Sequence, residues 1–240
     1  MNADLVRTPR TGMTGRKPVS IVCGAALIVV TAAHLIAQLT APDEVVSAAT
    51  QILLMPLLFG AVWFASTGAR QPLIRMVLIA LCFSWLGDAI PRFVGGDAGF
   101  LVMVGCFMVA QVFYILALWP YRRSSAAARP LLTLPYIAAF AVLVISCAPG
   151  AGALLVPVVI YGLALMMMAM LATGLGALAG VGGAIFLLSD GLIALRSFTE
   201  FELPGHGFWI MLTYVVGQSM IAAAAVQRAG RETGIGSTEP

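Results

Sequence analysis

Long apolar stretches follow one another along this chain with only brief polar interruptions, and each approaches the roughly 20 residues needed to cross a bilayer as a helix. On that ruler the pattern predicts about eight spanning helices, over residues 18–40, 44–66, 73–91, 97–119, 130–148, 151–172, 177–196 and 207–228. The interruptions carry turn chemistry: Pro42 with Asp43 and Glu44, Gly68 to Pro72, Gly95 with Gly96, the basic pair Arg122 and Arg123, Pro149 with Gly150, Thr173 with Gly174, and Pro204 with Gly205. The expected class is all-α and polytopic. One integral membrane domain, 18–228, is flanked by a polar N-terminal segment, 1–17, and a polar tail, 229–240, both expected to be disordered and cytoplasmic.

Composition agrees, since 61% of the 240 residues are hydrophobic, 10% are charged and the mean hydropathy is +1.01. A soluble domain would carry about 25% charge. The distribution of charge then orients the helices. With eight spans and both ends in the cytoplasm, eleven of the thirteen Lys and Arg residues face inward, leaving Arg92 and Arg196 outside. The acidic Asp43, Glu44, Asp97, Glu200 and Glu202 fall on the outer side in the same arrangement. The first apolar segment is longer than the core of a secretory signal and reads as a permanent helix. The expected location is the cell membrane, and no nucleic-acid partner is expected.

Against this apolar background Asp88 and Asp190 stand out, because a carboxyl at membrane depth costs at least a few kcal/mol and marks a functional site by default. Each lies about 13 residues, roughly 20 Å, from the cytoplasmic start of its helix, and the two helices run in the same direction. The two carboxyls therefore reach a similar depth. A short internal similarity links their surroundings: Asp88 is followed by Arg92 and Phe93, Asp190 by Arg196 and Phe198, and the next helices carry Gln111 and Gln218 after a small residue. This is the parallel kind of repeat that places matching sites about an axis along the membrane normal. Helical spacing adds polar neighbours, with Ser84 one turn before Asp88, Ser189 beside Asp190, Gln111 three before Tyr114, and Tyr214 four before Gln218. Taken singly, such polar groups also serve as hydrogen-bond glue between helices.

Other conspicuous residues read as structural. The four cysteines lie in apolar segments without metal-binding spacing, the two histidines His34 and His206 are far apart, and Met166 to Met168 point in three directions around a helix. No metal or cofactor is expected. Trp63, Trp85, Trp119 and Trp209 lie near helix ends, as an interfacial aromatic belt does, and the glycines between 174 and 183 permit close helix approach.

Four ordered motifs carry a family resemblance. Phe83-Ser84-x-x-Gly87-Asp88, Gly105-Cys106-Phe107 to Tyr114-Ile115, Gly183-Ala184-x-Phe186-x-x-Ser189-Asp190 to Phe198, and Thr213-Tyr214-x-x-x-Gln218 resemble those of the YhhN-type lysoplasmalogenase family. The resemblance implies an eight-helix membrane enzyme that hydrolyses the vinyl ether bond of a lysophospholipid, releasing a fatty aldehyde and a glycerophospho-alcohol. Asp88 and Asp190 would be its acid/base pair. Ser84, Gln111, Tyr114, Ser189, Tyr214 and Gln218 would position water or substrate, and Arg92 or Arg196 would hold the lipid phosphate. Where the family usually shows Gly-His, this chain has Ala110-Gln111, and glutamine does not titrate. Intramembrane acids and repeats also suit a transporter or proton-coupled carrier, and a non-catalytic lipid-binding protein is a third reading.

Overall fold

The computed structural model describes residues 16–40, 45–66 and 71–235, and among these it contains only helices and the turns between them. The expected N-terminal segment up to residue 15, the turns at 41–44 and 67–70, and the last five residues of the expected tail lie outside the described residues. The long helices are α1 (Arg16–Thr40), α2 (Val45–Ala65) and α3 (Pro72–Ala89), then, after the single turn α4 (Pro91–Val94), α5 (Gly96–Leu118). They continue with α6 (Pro130–Ala151), α7 (Leu155–Ala172), α8 (Ala177–Phe198) and α9 (His206–Ile235). Helix α9 runs several residues into the segment expected to be a disordered tail.

Among the described residues, seven helical stretches are long and apolar enough to cross a membrane. The longest of them, Pro130–Leu175, has 46 residues and is the hairpin of α6 and α7, so seven stretches hold eight long helices. The positions of the turns at both ends of α7 differ slightly from the sequence expectation, for one physical reason. Pro149 and Gly150 remain inside α6, and the chain reverses at Gly152, whose φ of +49° favours glycine. A Cβ on Gly150 would lie 2.1 Å from the carbonyl oxygen of Phe198, so Gly150 serves a close backbone contact with the end of α8. Gly174 and Gly176 repeat the division of labour: a Cβ on Gly174 would lie 2.4 Å from the Tyr121 carbonyl oxygen, whereas Gly176 turns the chain at φ +132°. The first glycine of each pair permits contact; the second makes the turn.

The helices close into a ring in the order α1, α2, α3, α5, α7, α8 and α9, with α9 also reaching α2 and α3. Helix α6 stands outside it against α7 and α8, burying only Cys147 and Ala151. Large apolar side chains such as Ile21, Val142 and Ile145 face outward, as bilayer contact allows, while polar residues including Ser84, Gln111, Ser189 and Gln218 are fully buried. Helices α8 and α9 cross most closely at Gly182 and Gly217, where a Cβ on either glycine would come within 2.9 Å of the other's carbonyl oxygen.

Replacing Gly217 by Ala should therefore lower unfolding stability in detergent by about 1–3 kcal/mol, because backbone rather than a movable side chain blocks the methyl group. Gly105→Ala, facing open space, should leave the thermal midpoint unchanged or raise it.

Candidate active site

Asp88 lies in the last turn of α3, which ends at Ala89 before Pro91 opens α4. Its carboxyl accepts hydrogen bonds from the Tyr214 hydroxyl on α9 (2.8 Å) and from Nε2 of Gln51 on α2 (3.2 Å). Arg92 donates to Oε1 of the same Gln51 at 2.5 Å, so the guanidinium reaches the carboxyl through an amide. The Tyr214 ring is held between Phe107 and Phe186, with centroids 5.8 Å away on each side. Phe107 can take this place because residue 87 is glycine: a Cβ there would lie 2.7 Å from the Phe107 ring. The glycine beside Asp88 thus fixes the tyrosine that serves it.

Asp190, in α8, accepts a hydrogen bond from the Tyr161 hydroxyl of α7. Both carboxyls line one cavity of about 320 Å³, together with Gln51, Arg92, Ser189 and Tyr214. Asp88 is 8% exposed, whereas Asp190 is only partly buried because it also lines a second cavity of about 560 Å³ between α6, α7 and α8. Neither aspartate forms an ion pair among the described residues. No three His, Cys, Asp or Glu side chains converge among the described residues either, and the cavity that holds the two carboxyls is also lined by the cationic Arg92.

The remaining sequence-predicted residues divide. Tyr114 donates to Oε1 of Gln218, whose Nε2 donates to Ser84 Oγ at 3.1 Å; this chain lies one turn below Asp88 without bonding to it. Ser189 lines the acid cavity but spends its hydroxyl on the Ile210 carbonyl, tying α8 to α9 (3.1 Å). Gln111 is fully buried with neither amide atom in a full hydrogen bond, its side chain lying beside the Tyr161 hydroxyl. Arg196 is exposed near the end of α8 and lines neither the acid cavity nor the apolar one. Gln51 and Tyr161 were missed by sequence reasoning. Each is a polar group within an apolar helix, and the rule that drew attention to Asp88 would have found them if applied to neutral residues.

Residues 46–225, from the start of α2 into α9 and including both aspartates and all their partners, match the model of the YhhN family. The chain belongs to the YhhN family. This YhhN protein is similar to lysoplasmalogenase TMEM86B of Rattus norvegicus, 28% identical over 186 residues that cover 71% of this chain and 77% of the relative. It is also similar to lysoplasmalogenase TMEM86B of Homo sapiens, 38% identical over 74 residues, which cover 31% of this chain and 32% of the relative. No solved structure matches it.

The two glutamines of this YhhN protein should respond differently to mutation. Gln218→Leu would leave the buried Tyr114 and Ser84 hydroxyls without each other's bridge, lowering stability by about 1–2 kcal/mol in thermal unfolding. Gln111→Leu removes a buried amide that makes no full hydrogen bond, and should leave the midpoint unchanged or higher.

Proposed function

We propose that this protein hydrolyses the vinyl ether bond of lysoplasmalogens, with Asp88 and Asp190 as the proton-transferring pair. The observation that carries the reading is the meeting of two carboxyls, from separate helices, on one cavity inside an apolar bundle. Family membership and the lysoplasmalogenase relatives support the reaction class.

The chemistry follows from what a pair of neighbouring carboxyls does. Close together in apolar surroundings, they resist carrying two negative charges, so one holds a proton while the other is ionised. The protonated carboxyl gives its proton to the alkenyl carbon remote from the ether oxygen, leaving an oxocarbenium ion at the carbon bonded to that oxygen. The carboxylate takes a proton from a water molecule, which adds to the cation and forms a hemiacetal. In the collapse of the hemiacetal its hydroxyl proton passes to the first carboxylate, while the second carboxyl gives the proton it took from water to the departing glycerol oxygen, so that a fatty aldehyde and a glycerophospho-alcohol leave and both groups return to their starting states. The pairing resembles that of inverting glycosidases, in which two carboxyls flank a water and an oxocarbenium-like centre. The negative carboxylate also stabilises the developing cation.

Tyr214 and Gln51 orient Asp88, and Tyr161 orients Asp190. Arg92, which lines the same cavity, would hold the lipid phosphate; Arg196 does not line that cavity. The positive-inside distribution favours both termini on the cytoplasmic side, with Arg92 toward the outer leaflet.

Asp88→Asn and Asp190→Asn should each reduce aldehyde release from a purified lysoplasmalogen by about a hundredfold or more while helical content is retained. Turnover persisting in both variants would remove the carboxyls from the mechanism. Substrate flux in proteoliposomes without aldehyde would instead identify a carrier. Arg92→Gln should act chiefly on KM, about tenfold, and less on kcat.

A further inference from the structure

The acid cavity brings Arg92, Gln51 and the two carboxyls together, and Asp190 also opens onto something different. On the other side of its carboxyl lies the 560 Å³ cavity between α6, α7 and α8, whose walls are almost entirely apolar. Tyr161 and Asp190, hydrogen-bonded to each other, stand on its wall part-way along its length.

Its shape follows from the register of the helices. A Cβ on Gly191 would meet Leu143, and one on Gly150 would meet Phe198, so α6 and α8 run side by side in the same direction at a constant offset. The cavity follows them from Tyr136 and Ala184 at one level to Cys147 and Leu195 at the other. Ala184 lies six positions before Asp190 on α8, so roughly 9 Å of apolar channel runs from the carboxyl toward the opposite end of the bundle from Arg92.

The geometry points to this channel as the site that holds the alkenyl chain and delivers the vinyl ether to the carboxyls. This rests on the hydrolase reading for the identity of the chain, and it adds the place of binding and a basis for chain selectivity. A lysolipid laid with its phosphate at Arg92 and its first unsaturated carbons between Asp88 and Asp190 has its chain directed into the channel, because Asp190 lines both spaces. Lipid tails are as apolar as the channel wall, so burial there gains little over the bilayer. Selection must come from fit: a chain that the channel cannot accommodate leaves its ether away from the acids.

Two measurements test the proposal. The first is kcat/KM for long-chain and short-chain lysoplasmalogens. Ala184→Phe, at an exposed position where no packing is displaced, should raise the preference for the short chain about tenfold. Ile145→Phe, on the outer face of α6 and outside the channel, should leave that preference unchanged. The second reads binding without turnover. A saturated 1-O-alkyl lysophosphoethanolamine carrying a diazirine in its chain should label channel residues such as Phe140, Leu165 and Leu187. Unlabelled lysolipid should compete for that labelling, and Ala184→Phe should weaken it.

Labelling spread equally over lipid-facing positions such as Ile145, without competition, would show the channel to be ordinary bilayer contact and overturn the proposal even if aldehyde is formed. Competed labelling of the channel with no aldehyde from any vinyl ether would leave the chain site standing and remove the hydrolase reading instead.

Discussion

A carboxyl buried among apolar helices must find its hydrogen-bond donors within the protein and its cavity, because the surrounding hydrocarbon supplies none. Asp88 meets this demand with Tyr214 from α9 and Gln51 from α2, so one side chain on α3 draws three helices together. Asp190 draws in α7 through Tyr161. With the acids in place, the identity and direction of the aromatic and amide groups around them are constrained.

Small residues make those contacts reachable. Gly182 and Gly217 bring α8 and α9 to backbone distance, and α9 carries Tyr214 toward Asp88 at that separation. Gly87 admits the Phe107 ring, which with Phe186 confines Tyr214. A motif that reads as a glycine before an aspartate is, in three dimensions, a way to aim a tyrosine from another helix. The amide chain of Tyr114, Gln218 and Ser84 has a different place: it holds α3, α5 and α9 together one turn below and leaves the carboxyl free for its own donors.

The two acids are unequal in surroundings. Asp88 has two donors and an arginine beyond one of them, and it faces one cavity. Asp190 has one donor and lies at the junction of a cavity that holds charged groups and one whose walls are almost entirely apolar. That junction suits a molecule with a charged end and a hydrocarbon end, which connects the fold to lipid chemistry more directly than either aspartate does alone. The internal similarity between the two halves does not extend to their glutamines, since Gln218 bonds on both sides and Gln111 on neither.

The number of long helices, their approximate limits and the like depth of Asp88 and Asp190 were legible in the sequence. These follow from hydropathy and from a fixed rise per residue, both of which are read along one helix at a time. What surrounds the acids was not legible. Gln51 and Tyr161 are ordinary polar residues in their own helices, and only lateral packing brings them to carboxyls 37 and 29 positions away. Arg92 and Arg196 look equivalent in the sequence, yet only Arg92 lines the acid cavity. The same holds for the turns at Gly152 and Gly176, because the glycines two residues earlier are required by contacts with distant backbone. Depth in the bilayer is a local property of the chain, whereas which helix faces which, and through which side chain, is decided only when the whole bundle closes.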